Sequence, residues 1–129
     1  MRPGDTFNSG ADRAAAMKKE EIVMITKLDP VSFDDEIAES APILVDFWAT
    51  WCGPCMMQGE ILKKLDASHP ELRIGKVNVD EWGALAARYG IQAIPTMILF
   101  KDGDEVERVV GMRDEPALLE LFRENGADV

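Results

Sequence analysis

The sequence predicts an α/β fold, a central mixed five-stranded sheet flanked by four helices in the order βαβαβαββα. Three observations carry this. Strand-like and helix-like segments alternate until two apolar runs follow one another, a pattern that gives a mixed sheet with helices on both faces. The run Ile43-Leu44-Val45-Asp46-Phe47-Trp48 is apolar at alternate positions of both parities, as a central strand covered on both sides should be. Residues 96–100 and 106–110 are two apolar runs joined through Asp102-Gly103, the strongest short hairpin signal in the chain.

Taken in order, residues 1–21 are rich in Gly, Ala, Asp and Lys and show no clean period. They read as a flexible N-terminal extension, with Met17 or Met24 as alternative starts, ahead of a single domain over residues 22–129. The β-rich run 22–26 is the first strand. Asp29-Pro30 offers an N-cap followed by proline at the first helical position; Phe33 and Ile37 mark that helix's inner face, and it ends near Ser40-Ala41-Pro42. After the 43–48 strand a helix runs to about Ser68, with Ile61, Leu62 and Leu65 inward, and His69-Pro70 stops it. Residues 72–79 alternate as a third strand. Asp80 caps a short helix that puts Trp82, Leu85, Ala86 and Tyr89 on one face before Gly90 closes it. After the hairpin, a last helix starts at Asp114, buries Leu118, Leu121 and Phe122, and ends at Asn125-Gly126.

Composition narrows the function. The chain has 129 residues, 47% hydrophobic and 29% charged, enough for one domain with a proper core. A net charge of −10, with no basic patch, argues against nucleic acid as a partner. No apolar stretch is long enough to span a membrane, and the N-terminus lacks the pattern of a secretory signal. The expected compartment is therefore the reducing cytoplasm, where a cysteine pair is catalytic more often than structural. Two cysteines are too few for a structural zinc site and the single His69 sits in a turn-like stretch, so no metal is expected.

Both cysteines lie in Trp51-Cys52-Gly53-Pro54-Cys55, directly after the central strand. A strand leading straight into a helix places Cys52 where the first backbone N–H groups and the positive dipole end favour a thiolate. Pro54 suits the first turn, since its missing N–H would have had no partner there. Cys55 follows one turn later, within reach of Cys52, and the pair reads as a dithiol/disulfide switch. A bridge across so small a loop constrains the unfolded chain little, so stabilisation explains it poorly. In this reading Cys52 is the exposed attacking thiolate and Cys55 the more buried resolving thiol. Asp46 is the one charge inside an apolar strand; burial should raise its pKa towards neutrality, unless backbone hydrogen bonds at the strand end satisfy it.

These residues resemble the thioredoxin family. The resemblance rests on residues 45–55, on Tyr89-Gly90-Ile91-Gln92-Ala93-Ile94-Pro95-Thr96, on Lys101-Asp102-Gly103 and on Val109-Val110-Gly111, in family order and spacing. It covers about residue 22 to the C-terminus and implies the thioredoxin fold. The activity it implies is protein-disulfide reduction, by an electron carrier of cell redox homeostasis with no cofactor of its own. Disulfide-containing proteins are the implied targets. An NADPH-dependent flavin thioredoxin reductase would recycle the protein, which is expected to be a monomer. The resemblance makes Asp46 the group that takes a proton from the resolving cysteine, through water, and sets Lys76 nearby as a modest electrostatic influence. Gly53 and Pro54 tune the pair. Pro95 corresponds to a proline with a cis peptide bond facing the cysteines, which leaves the Ile94 backbone free to pair with an extended substrate. Trp51, Ala93, Ile94, Pro95 and Gly111, with Gly53 and Pro54, would rim Cys52 as the substrate-binding surface; Trp51 read alone fits a core aromatic equally.

Three residues depart from the family pattern: Glu60 for a proline that kinks the active-site helix, Met56 for a basic residue, and Ala93 for glycine. They bear on the potential and on the choice of target. Two alternatives stay open. One is an oxidase or isomerase on the same fold, against which Gly53-Pro54 and the absent export signal argue. The other is a non-catalytic binding subunit using the same groove, against which the retained Cys52, Cys55 and Asp46 argue.

Overall fold

The computed structural model describes residues 23–129. The extension read over residues 1–21, the alternative start at Met17 and Ile22 of the first expected strand lie outside the described residues. The elements are β1 (Thr26–Lys27), α1 (Phe33–Ile37), β2 (Ile43–Trp48), α2 (Gly53–Ser68), β3 (Arg73–Asn78), α3 (Gly83–Arg88), β4 (Thr96–Lys101), β5 (Asp104–Val110) and α4 (Glu115–Glu124). The strands form one mixed sheet in the order β1-β3-β2-β4-β5. β1, β3 and β2 run parallel, while β4 is antiparallel to both β2 and β5. This is the expected architecture, with β2 at its centre.

Alternation along β2 divides the core. Ile43, Val45 and Phe47 pack with Phe33 and Ile37 of α1 and Leu85 of α3. Leu44 faces the other way, onto Leu62 and Leu65 of α2 and Leu118 and Phe122 of α4. Side chains of this size contribute about 1.5–3 kcal/mol each when fully buried, so the two layers dominate stability. On the first face Phe100 meets Phe33 and Tyr89 at ring distances of 5.6 and 5.2 Å, both edge-on.

Several element boundaries differ from the sequence reading; the hairpin strands, for example, reach Lys101 and start at Asp104. The first strand is only Thr26–Lys27 instead of 22–26, because pairing with β3 is confined to Gly75 and Lys76. Asp29 does turn the chain: its Oδ1 accepts from the Val31 and Ser32 N–H groups, both at 2.9 Å. Regular helix nevertheless begins only at Phe33 and stops at Ile37. The third strand is shorter by a residue at each end. Asp80 does not cap the next helix. Asn78 Oδ1 instead accepts from the Asp80 and Glu81 N–H groups at 2.9 and 3.3 Å, delaying the helix to Gly83.

The hairpin forms as read. Asp102 and Gly103 have φ of 55° and 85°, the positive values a two-residue type I′ turn needs. Their N–H groups donate to the Glu39 and Ile37 carbonyls at 2.9 and 2.8 Å, satisfying the chain where α1 ends. Asp114 caps α4 through the Ala117 N–H at 3.1 Å, also as read. Glu60 lies within an unbroken 16-residue α2, where it is paired with Lys63 at 3.3 Å.

Candidate active site

Cys52 follows β2 and is the N-cap residue of α2, with extended backbone, and Pro54 lies in the first turn. Its Sγ accepts from the Cys55 N–H at 3.2 Å, and its carbonyl accepts from the Met56 N–H at 3.2 Å. The sulfur thus occupies the place where a capping oxygen usually satisfies an orphan N–H. The same donor and the helix dipole would stabilise negative charge on that sulfur. Cys52 and Cys55 are disulfide-bonded, with Cα atoms 5.2 Å apart.

Cys52 was expected to be exposed, and the structure corrects this. It is 5% exposed against 1% for Cys55. Ala49 and both cysteines form a small cluster packed by Trp48, Val79 and Ile94, so one edge of Cys52 alone meets solvent. The expected order, with Cys55 the deeper, holds. Gly53 and Pro54 are exposed beside the pair.

Asp46 lies on the α2-facing side of β2, in register with Lys76 on β3 and Met97 on β4. It is fully buried, and among the described residues neither carboxylate oxygen has a hydrogen-bond partner. The alternative of a strand-end aspartate satisfied by backbone is therefore set aside. Burial pushes its pKa up to about 7, with the Lys76 ammonium pulling the other way. Lys76 is itself pushed down by burial, which the Asp46 carboxylate partly offsets. Its Nζ lies 4.3 Å from the Trp48 ring centre, and a Cβ added at Gly59 of α2 would sit 3.6 Å from it. Lys76 thus spans from β3 to α2 beside the aspartate. Lys76, with Trp48 and Trp82, lines a cavity of about 470 Å3.

The rim residues are brought together around Cys52. The Ile94 carbonyl oxygen is 3.8 Å from Cys52 Sγ, and the Ile94-Pro95 bond is cis. Ala93 is exposed and Ile94 half-buried, whereas Pro95 is buried and shapes the rim from beneath. Gly111, at φ 93°, donates its N–H to the Pro95 carbonyl at 2.8 Å. Trp51 is 70% exposed, which excludes the core reading. With Val79, Ile91, Ala93 and Ile94 it lines an apolar hollow of about 190 Å3. Met56 and Met57 extend the exposed apolar surface along the first turn of α2.

Sequence reasoning missed two site neighbours. Asp80, read as a helix cap, accepts from Trp51 Nε1 at 2.8 Å and holds the exposed indole in place. Gln58, one turn after Cys55, is fully buried on the inward face of α2 and bonded to the backbone of Arg113. Its place in the 55-58-62-65 stripe was a readable signal of burial; its partner, 55 residues on, was not. Among the described residues there is no group of three or more His, Cys, Asp or Glu arranged to hold a metal, and no helix long and apolar enough to cross a membrane.

Comparison with known proteins matches residues 24–124 to the family model described as Thioredoxin. The thioredoxin of Chlamydia pneumoniae is 47% identical over 102 residues, 79% of this chain and 99% of the relative. That of Staphylococcus aureus is 45% identical over 99 residues, 76% and 94% of the two chains. Among solved structures, a mutant thioredoxin from Halobacterium salinarum superposes with a TM-score of 0.73 at 38% identity. That match covers 81% of this chain and 93% of the other.

Proposed function

From the chain's membership of the thioredoxin family, we infer that its Cys52/Cys55 pair reduces protein disulfides in a two-step exchange assisted by Asp46. The protein is a thiol–disulfide oxidoreductase; the roles of individual residues are our reading. The Cys52 thiolate attacks one sulfur of a target disulfide, forming a mixed disulfide and expelling the target's first thiolate. Cys55 loses its proton and attacks Cys52 Sγ. This forms the Cys52–Cys55 bond, breaks the mixed disulfide and releases the second target thiolate, which with the first takes up protons to leave a dithiol. Two electrons pass from the pair to the target.

The observation that carries this reading is Cys52 Sγ at the N-cap of α2, aimed at the Cys55 N–H and bonded to Cys55 one turn on. Asp46, held near pKa 7 by burial, is matched to accepting the Cys55 proton and handing it on at neutral pH. Lys76 lowers the cost of the aspartate's charge. Gly53 and Pro54 keep the first turn open and free of a competing N–H. Trp51, Ala93, Ile94 and Gly111, with Pro95 beneath, form the surface on which an extended target segment lies.

Disulfide-containing targets and a recycling reductase follow from the family. We take the reductase to be the NADPH-dependent flavin type, the protein to act as a monomer, the compartment to be cytoplasmic and residues 22–129 to be the working domain. The net charge of −10 supports the absence of a nucleic-acid partner.

Trapping tests the roles directly. Cys55→Ser should accumulate a mixed disulfide with a target, and Cys52→Ser should form none; the reverse pattern would exchange the two roles. Equilibration of the pair against dithiothreitol and glutathione buffers should give a strongly reducing potential. About −270 mV is thioredoxin's own reference value and is not worked from this structure; a value near the −120 mV of a periplasmic oxidant would refute the reductase reading.

A further inference from the structure

We propose that Gln58 is a positioning residue that sets the Gly111 side of the target groove against the cysteines. The proposal deepens the reading above and rests on it. Gln58 occupies the inward stripe of α2 between Cys55 and Leu62, where an aliphatic side chain would pack most simply. A buried amide is costly unless both its halves are bonded. Here both are: Nε2 donates to the Arg113 carbonyl at 3.0 Å, and Oε1 accepts from the Arg113 N–H at 2.8 Å. One side chain therefore satisfies both backbone groups of one residue, as a neighbouring strand would.

Arg113 lies in the short connection from β5 to α4, which begins with Gly111. The rest of that connection is braced mostly upon itself: the Arg113 guanidinium donates back to the Val110 and Met112 carbonyls at 3.2 and 2.9 Å. Its other link to the site is the Gly111 N–H on the Pro95 carbonyl. Pro95 adjoins Ile94, whose carbonyl oxygen faces Cys52 Sγ. A closed circuit results, from the cysteines through α2 and Gln58 to Arg113, then through Gly111, Pro95 and Ile94 back to Cys52. Gln58 is the one side chain of another element that hydrogen-bonds this connection among the described residues. Without it α2 and the Gly111 connection lose their hydrogen-bonded link, and the rim can shift relative to the attacking sulfur. Cys52 and its capping N–H remain untouched.

The role predicts a split between substrates that need the groove and substrates that do not. Gln58→Leu keeps about the same volume and removes both bonds. Its KM for a protein disulfide (insulin, with dithiothreitol as the terminal reductant) should rise about tenfold, because a displaced groove wall loses binding that ground state and transition state share. Its kcat, and its rate with a small aromatic disulfide, should stay within about twofold of wild type. Gln58→Glu supplies a second test that does not depend on the first variant folding. A protonated carboxyl can donate to the Arg113 carbonyl and accept from its N–H, whereas a carboxylate cannot donate. The KM of Gln58→Glu relative to wild type should therefore approach one near about pH 5 and rise towards about pH 8.

An unchanged KM in Gln58→Leu, equal losses with both substrates, or a pH-independent KM ratio in Gln58→Glu would each overturn the proposal. A wild-type chain that reduces neither substrate would refute the functional reading itself, and the two failures are separable.

Discussion

Replacing Asp46 with asparagine should make the protein progressively more stable relative to wild type as pH rises. Asp46 is fully inaccessible, and neither of its oxygens is hydrogen-bonded among the described residues. Its carboxyl titrates at about 7 in the fold against 3.8 for the free group. Ionising it therefore costs the native state at most about 4.5 kcal/mol, at about 1.4 kcal/mol for each tenfold change in proton affinity. The sign follows from which state binds the proton more tightly. Below about pH 4 both states are protonated and no penalty exists. Between about pH 4 and 7 the unfolded chain releases its proton first, so stability falls, and above about 7 the loss is complete. Asparagine does not titrate, and whatever its amide costs in the site is the same at every pH. Urea unfolding of both proteins at about pH 4.5 and 8.5 should show the difference, variant minus wild type, rising by about 2–4 kcal/mol. A difference that stays constant across that range would refute the argument, whatever its absolute value. The same variant should also slow release of the mixed disulfide and lose the pH dependence of that step near neutrality, measured by rapid quenching of the Cys52 adduct.

Three further outcomes follow from other contacts. Lys76→Met removes the cation that favours the Asp46 carboxylate, so the Asp46 titration followed by NMR should move upward; a downward move would show that the ammonium acts otherwise. Trp51→Ala deletes a 70% exposed indole from the rim and should raise KM for a protein disulfide about tenfold, as loss of an aromatic anchor commonly does, while sparing small disulfides. Gly75→Ala would bring a Cβ to 2.6 Å from Leu28 Cδ1 and 3.1 Å from its Cγ. Overpacking of this kind should cost about 1–3 kcal/mol in urea unfolding without altering the rate of mixed-disulfide formation.

Much of this site could be read from the chain because the relevant signals are local. The run from Ile43 to Trp48 fixes a two-sided central strand, and Cys52 and Cys55 are one helical turn apart. Asp46 stands out as the one charge in an apolar stretch, and its burial follows from β2 being covered on both faces. What was not legible depends on partners distant in sequence. Asp80 has the composition of a cap, yet its carboxylate is engaged by Trp51, 29 residues earlier, and Asn78 holds the turn ahead of a helix that begins with no side-chain cap. Cys52 looks exposed from its place at a helix start, but Trp48, Val79 and Ile94 close over it. Gln58 and Asp66 both fall on the buried stripe of α2. Asp66 finds the Met24 N–H at 3.0 Å for one oxygen and, among the described residues, nothing for the other. Periodicity announces such positions, while only the tertiary structure says which are satisfied.

The Asp102-Gly103 hairpin has a consequence for engineering. Exposed two-residue turns are the usual places to splice in a tag or reporter, because lengthening them disturbs little. Here the turn's own amides are donors to the Ile37 and Glu39 carbonyls, more than sixty residues earlier in the chain. An insertion between residues 102 and 103 would withdraw those donors and leave the end of α1 to find water instead. The better splice point is one whose backbone serves nothing else. By that measure the tip that looks most permissive in the sequence acts as a clasp.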